Sequence, residues 1–382
     1  MSTEVQPTPL PAAGGAAPKR QGRSTKSVMQ KGEGKAGWLF VTPAVLIIGI
    51  FMLVPVVAAL WVSVSNWSGK GSITTAPFVG LDNYRALLGK ANLQQRDLAT
   101  SLKNNLYYVI AVVPLQTILA LVLALVLNRR RLAGKGFFRT AFYFPSVTSS
   151  VAISIVFLFL FNASGVVNAL LAWFGINGPN WFADPRGVLQ LLLSALGVDS
   201  SNPPGWLIGH SFLGLTWWQW LSGPSIAMCA IMVLAIWTTG GTFMLMFLAA
   251  LQDIPVDVEE AASVDGASSW QTFRRVTLPA LKPALFLVIT LGLIGTWQVF
   301  DQIYIISQGG PSKTTLTPAF LSYQTSFSDG KWGQGAAIAF ILFVIIVIFS
   351  LFQRFVMRDR KTLPRRRRIT SWSDGMATKD GS

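Results

Sequence analysis

The chain alternates between long apolar runs and shorter polar stretches. Six runs stand out: roughly Trp38–Val64, Leu106–Leu127, Phe142–Phe161, Ile226–Leu251, Leu285–Ile306 and Ala336–Val356. Each supplies about the 20 residues a helix needs to cross a bilayer core. None alternates apolar with polar residues as a membrane barrel strand does. Backbone polar groups inside lipid must satisfy one another, so each run predicts a helix. The first has no small-residue cleavage pattern and is too long for a signal-peptide core, so it reads as a span.

Composition agrees with this pattern. Apolar residues make up 52 % and charged residues 12 %, half the roughly 25 % typical of soluble domains. The net charge of +15 could by itself suggest nucleic-acid binding, but its distribution points elsewhere. Of the 31 Lys and Arg residues, 23 fall on the N-terminal tail, on the loops after the second and fourth runs, and on the C-terminal tail. The positive-inside rule then places both termini in the cytoplasm of a multi-pass membrane protein, with no nucleic-acid partner. The expected organisation is a disordered basic tail over 1–36, a membrane domain over 37–357 and a second basic tail over 358–382. In the latter, Arg365–Arg368 are suited to anionic lipid headgroups. A single cysteine, Cys229, and a single histidine, His210, exclude an intrachain disulfide framework. They leave no Cys/His metal cluster to propose, and His210 is read as structural.

Two outer segments differ in character. The loop 65–104 is polar, with room for short helices. The segment 163–222 is rich in aromatics, including Trp181, Trp206, Trp217, Trp218 and Trp220. Two readings stand for it: a piece lying at the outer membrane interface, where Trp is enriched, or a docking surface for an external partner.

The loop Gln252–Leu281 holds more acid than any other: Asp253, Asp257, Glu259, Glu260 and Asp265. Asp253 is expected to cap a short helix with Pro255 in its first turn. Gly266 is expected to stop that helix in the left-handed position. Ser268 and Gln271 form a capping box for a second short helix, which runs through Phe273 and ends near Leu278-Pro279. A helix–turn–helix with a flat Ala261-Ala262 face is shaped for a groove on another protein, and Glu260 offers that protein a charge-assisted partner.

Glu260-Ala261-Ala262, Asp265-Gly266-Ala267 and Leu278-Pro279 resemble the cytoplasmic signature of permease subunits in ATP-binding-cassette importers. Leu251-Gln252-Asp253-Ile254-Pro255 and Phe273 extend the match. Gly309-Gly310-Pro311 with Thr314-Thr315, Phe300-Asp301 and Phe144-Pro145 resemble the carbohydrate-uptake branch. The stretch Phe161-Asn162 to Asp184-Pro185 is similar to the larger permease of maltose-type systems. The chain departs from that pattern at about 187–222, an insertion. The resemblance covers about 37–357.

That resemblance implies an all-α type I importer permease fold. It also implies a second homologous permease, two ATPase subunits that carry the ATP and magnesium, and an extracytoplasmic solute-binding protein. The loop 252–281 would couple to the ATPase through Glu260, Ala261, Ala262, Asp265, Gly266, Phe273, Leu278 and Pro279. The chain has no phosphate-cradling Gly-x-x-x-x-Gly-Lys-Ser/Thr run and no nucleophile with a base partner, so it is read as non-catalytic, with no cofactor or metal of its own. Polar residues inside spans are costly in lipid and usually face a cavity. Ser146, Ser150, Thr238, Thr239, Thr242, Thr296, Trp297 and Gln298 are therefore candidates for the substrate pathway. Their alternative role is bonding to their own helices or between spans. The substrate implied is a sugar, a di- or oligosaccharide. A glycerol-phosphate or polyol permease and an ion-coupled secondary transporter are the alternatives. The latter calls for in-span acids and often an internal repeat. Asp301 is the only in-span acid, and no repeat is apparent.

Overall fold

The computed structural model describes residues 33–357, apart from 90–91, 130–131 and 199–202. The basic tails expected beyond those limits lie outside the described residues. The chain divides into two units, 1–57 and 58–382. Helix α1 (Gly37–Ser63) begins in the first. It widens to a π turn at Gly49–Leu53, just before Pro55, which has no N–H to continue the regular ladder.

The second unit is built on α2 (Leu93–Asn128) and α5 (Ile226–Gln252). Between them come α3 (Lys135–Val147) and α4 (Ser150–Leu160). After them come α6 (Val256–Val264), α7 (Ser269–Ala280), α8 (Lys282–Trp297) and α9 (Trp332–Val356). Four helices (α1, α2, α5, α9) are candidate spans by length and composition. The pairs α3/α4 and α7/α8 are bent by 99° and 68°, which gives six spans if each pair counts as one.

Three of the expected spans change shape. The second begins at Leu93, not Leu106, because Asn92 caps it by accepting from Gln95 N at 2.8 Å. The helix then carries Lys103, Asn104 and Asn105 in polar pairings that a hydropathy scan cannot see. The third is not one helix. Thr148 adopts extended backbone and Ser149 is non-helical between α3 and α4, although the apolar run continues across the break. The fifth stops at Trp297, and helical structure resumes only at Asp301.

One end of this unit carries the loop Gln252–Leu281, and the other, the head, carries the segments 65–92, 162–225 and 298–331. The loop-end core packs Ala124 and Leu127 of α2 against Phe247 and Leu251 of α5, with Leu281 and Val288. A middle cluster joins Val113 of α2 to Trp297 of α8 and Leu342 and Ile346 of α9. The head core gathers Leu98, Tyr108, Met228, Ile231, Ile303 and Phe320. Lipid offers helices little hydrophobic reason to associate, so close backbone approach carries the packing. A Cβ on Gly241 would lie 2.3 Å from Phe142 O and 2.9 Å from Tyr143 Cα. Gly241→Val is expected to destabilise by about 1–3 kcal/mol through overpacking of α3 on α5. Thermal unfolding of the detergent-solubilised chain checks this, and an unchanged midpoint would discount the contact.

The insertion folds as helix Val188–Ala195, helix Gly205–Ile208, a two-residue hairpin pairing Ser211–Phe212 with Leu215–Thr216, and helix Trp217–Trp220. A Thr216/Gln219 capping box starts the last of these. Trp218 is buried, while Trp206 and Trp217 are exposed, and His210 leads into the hairpin on an exposed position. A turn just before the insertion is held by Asp184. Its carboxylate accepts from Arg186 Nη2 at 2.5 Å and Nε at 2.9 Å, while Ala227 N bonds Asp184 O at 3.4 Å. The Arg186 hydrogen bonds hold the Asp184 carboxyl below the usual carboxylate range, against the upward push of burial. A depressed folded-state pKa means that this contribution is present at neutral pH and fades as pH falls below the ordinary aspartate range. Asp184→Asn is expected to speed amide exchange over 181–190 at pH 7. Equal exchange in the two proteins would deny the latch.

Candidate functional site

Two features concentrate the chemistry. The first is a cavity of about 270 Å³ enclosed by α2, α5, α8 and the break after Trp297. Thr238 and Thr239 of α5, Thr296 of α8 and Gln298 line it, so four of the eight pathway candidates converge. Ser146, Ser150, Thr242 and Trp297 do not line it. Ser146 instead joins helices, accepting from Thr242 N at 3.1 Å and donating to Thr238 O at 2.6 Å. Ser150 Oγ is buried without a partner. The Trp297 ring lies in the middle cluster, 5.2 Å from the ring of Phe349.

Sequence reading passed over three further groups on this cavity: Tyr108, Gln116 and Gln302. Gln116 is the most informative. It is 1 % exposed, Thr239 Oγ1 lies 2.8 Å from its Oε1, and its Nε2 is buried with no protein acceptor. An orphaned amide donor in a low-dielectric span is costly unless something supplies an acceptor. The single hydroxyl hydrogen of Thr239 is shared between Gln116 Oε1 and Ala235 O, and the hydroxyl of Thr296 bonds to Gly292 O at 2.8 Å, so each threonine keeps acceptor capacity beyond those bonds. Asp301 brings the cavity's one carboxylate, and Phe243 and Phe300 supply ring faces. Neutral donors and acceptors interleaved with aromatic faces suit a polyhydroxylated solute, whose apolar ring faces stack while its hydroxyls pair. The signal for Gln116 was present: an amide in the middle of an apolar run, in a span that supplied none of the pathway candidates.

The second feature is the loop. Pro255, not Asp253, precedes the first helical residue of α6, and Asp253 instead closes α5, its N–H bonding Ala249 O at 3.2 Å. The proline accounts for the shift: it disfavours helical backbone in the residue before it, so α6 cannot start earlier. The α6 exit matches expectation. Gly266 has φ +75°, Gly266 N bonds Ser263 O at 3.1 Å, and Ala267 N bonds Ala262 O at 3.0 Å, the paired bonds of a Schellman cap. The Ser268/Gln271 capping box also forms. It starts α7, which runs through a π turn at Phe273–Thr277 to Leu278, Pro279 and Ala280.

No residue of α6 is buried. Glu260, Ala261, Asp265 and Gly266 are exposed, Ala262 is half-buried, and Glu260 makes no ion pair among the described residues. Val264 is 88 % and Trp270 66 % exposed, with Trp270 stacked on Phe273 at 5.4 Å. Sequence reading placed Val258 and Val264 on this helix beside the acids and alanines but did not single out Trp270, another large apolar residue exposed here. Leu281, fully buried, anchors the 68° bend into α8. The carbohydrate-type segment after the cavity is a tight turn pinned to α2. Asn104 Nδ2 donates to Lys313 O at 2.8 Å and Leu316 O at 3.0 Å, and Lys313 Nζ lies 2.7 Å from Asp97 Oδ1.

Comparison with known proteins fits this geometry. Residues 116–362 match the family described as binding-protein-dependent transport system inner membrane component. A lactose transport system permease protein of Rhizobium radiobacter is 31 % identical over 328 residues, 85 % of this chain and 95 % of the relative. A trehalose/maltose transport system permease protein of Thermococcus litoralis is 30 % identical over 329 residues, covering 86 % and 96 %. The fold is similar to that of a bacterial ABC transporter involved in import of the acidic polysaccharide alginate. That match has a TM-score of 0.62 and 19 % identity, and covers 86 % of this chain and 98 % of the other. The chain belongs to the binding-protein-dependent transport family. It is a multi-pass inner-membrane permease component with the type I importer fold.

Proposed function

We propose that this chain forms half of the translocation pathway of an ATP-driven sugar importer and passes a di- or oligosaccharide through the cavity between α2, α5 and α8. The carrying observation is the orphaned Gln116 amide, set beside Tyr108, Thr239 and Gln298 in that cavity. The names of the lactose and trehalose/maltose relatives support a saccharide as cargo. The second half of the pathway is a homologous permease, and a solute-binding protein delivers the sugar at the head. Two ATPase subunits, holding ATP and magnesium, receive the α6–α7 loop on the cytoplasmic side. Both termini then lie in the cytoplasm, and the chain itself carries no catalytic group or cofactor.

Proteoliposomes containing the complete complex and its binding protein test this reading. Labelled disaccharide is expected to accumulate only with ATP inside, on the loop side. Gln116→Leu is expected to raise the half-saturating sugar concentration about two- to tenfold, the cost of one lost buried hydrogen bond to a sugar hydroxyl. Uptake by this chain alone, driven by an ion gradient, would overturn the proposal.

A further inference from the structure

Lys103 is an anomaly in the head. It is 9 % exposed, yet it pairs with no carboxylate among the described residues. Its only partner among the described residues is neutral: Nζ donates to Ser222 Oγ at 3.2 Å, and the Ser222 hydroxyl in turn points to Gly223 O at 3.3 Å. Two ammonium N–H groups are left without acceptors. A charge removed from water without a counter-charge is costly, and proteins normally pair it.

The ammonium lies on the wall of a cavity of about 190 Å³ formed where the insertion meets α2 and the start of α5. Three other side chains on that wall keep idle donors, while Asn104, Ser222 and Thr314 spend their hydrogens on backbone carbonyls. Gln219 uses only its Oε1, accepting from Thr216 N at 3.0 Å, so its amide N–H groups are free. Ser225 Oγ accepts from Met228 N at 3.0 Å, leaving its hydroxyl hydrogen free. The Gln190 side chain makes no hydrogen bond among the described residues. Ser225 is also the N-cap of the 27-residue α5, whose N-terminal dipole adds positive potential. No Asp or Glu among the described residues lines the cavity, and the acid adjacent in sequence, Asp184, is taken by Arg186.

We propose that this cavity is an anion site that takes a carboxylate group, held by Lys103 and by the Gln190, Gln219 and Ser225 donors. Its volume, about 190 Å³, holds one carboxylate and a few waters at about 30 Å³ per water. One monoanion matches one lysine. The site gives the insertion, which departs from the maltose-type pattern, a chemical role of its own. Two sources could supply the carboxylate: a free small organic acid, or an acidic side chain of the solute-binding protein.

The test uses the full-length chain in lipid nanodiscs, titrated with sodium acetate at ionic strength held constant with sodium chloride. A ligand that binds only the folded state raises the unfolding midpoint by mass action. The expected result is a saturable rise that is absent in Lys103→Met. Gln190→Leu removes a donor that holds nothing else, and is expected to fold normally and weaken acetate binding several-fold. No saturable rise, or an equal rise in Lys103→Met and Gln190→Leu, overturns the site. A second arm adds the binding protein. Acetate that competes with its docking assigns the carboxylate to that protein, and acetate that binds without competing assigns it to a free acid. The second arm rests on the proposed orientation and the first does not, so failure of the import reading leaves the acetate titration interpretable.

Discussion

Gly295→Trp is expected to reduce sugar uptake to background while the chain still folds and assembles. Gly295 lines the central cavity, and a Cβ built on it meets nothing within 4 Å. The backbone there is ordinary helix, so a side chain meets no conformational penalty at its root. An indole extending from this position enters about 270 Å³ of space and occupies the volume a sugar ring requires. Gly292, one turn earlier, makes the contrast: its added Cβ would lie 2.5 Å from Gln116 Nε2. Gly292→Ala therefore displaces the very amide assigned to the sugar, and mixes packing with recognition. Gly295→Trp separates the two. Uptake, ATP hydrolysis and the unfolding midpoint should be read on the same preparation, with uptake lost, the midpoint kept, and hydrolysis no longer stimulated by sugar-loaded binding protein. Wild-type uptake by a folded Gly295→Trp complex would remove the cavity from the pathway.

How much of this was legible in the sequence depends on whether a residue's partners are near or far in the chain. The Gly266 stop and the Ser268/Gln271 box were readable because both are contacts within a few residues, and both formed. Asp253 misled because two local rules competed, and the helix-disfavouring effect of Pro255 on its predecessor won. The early start of α2 has a local cap at Asn92, but the polar turn after it, which hydropathy reads as outside the span, is stabilised from far away: Asn104 bonds Lys313 and Leu316, and Asn105 Nδ2 reaches Trp297 O at 3.1 Å. Hydropathy scores those asparagines as solvent-seeking, whereas the fold gives them buried carbonyl partners. The break between α3 and α4 escaped for the opposite reason, since an apolar run keeps the same score whether it is straight or bent. The polar set Ser146, Thr148, Ser149 and Ser150 marks that break. At the cavity, residue type was a sound guide and facing was not. Trp297 and Gln298 are adjacent, yet one turns into the middle cluster and the other to the cavity, because the helix ends between them.

Glu260→Lys in the loop is expected to uncouple the complex with no loss of fold. Glu260 is exposed and makes no ion pair among the described residues, so none of those residues accounts for its charge. It stands on a helix with no buried residue, beside Ala261 and near the exposed Val264 and Trp270, a surface whose apolar members gain only if a partner covers them. If Glu260 meets an arginine in the ATPase groove, reversing its charge costs about 2–5 kcal/mol, or at least about thirtyfold in docking affinity. Gly266→Val tests the same loop from its backbone. At φ +75° a β-branched residue carries a penalty of about 1–2 kcal/mol, which is expected to loosen the cap joining α6 to α7 and weaken docking less than the charge reversal does. Pull-down of the ATPase from detergent extract, with ATP-driven uptake measured alongside, ranks the two variants. A compensating Arg→Glu change in the ATPase should restore docking to Glu260→Lys but not to Gly266→Val, because only the first loses a charge partner. Full coupling in Glu260→Lys would mean that the acids of this loop serve no ATPase contact, and the assignment of α6 as the coupling helix would then have to rest on its apolar face alone.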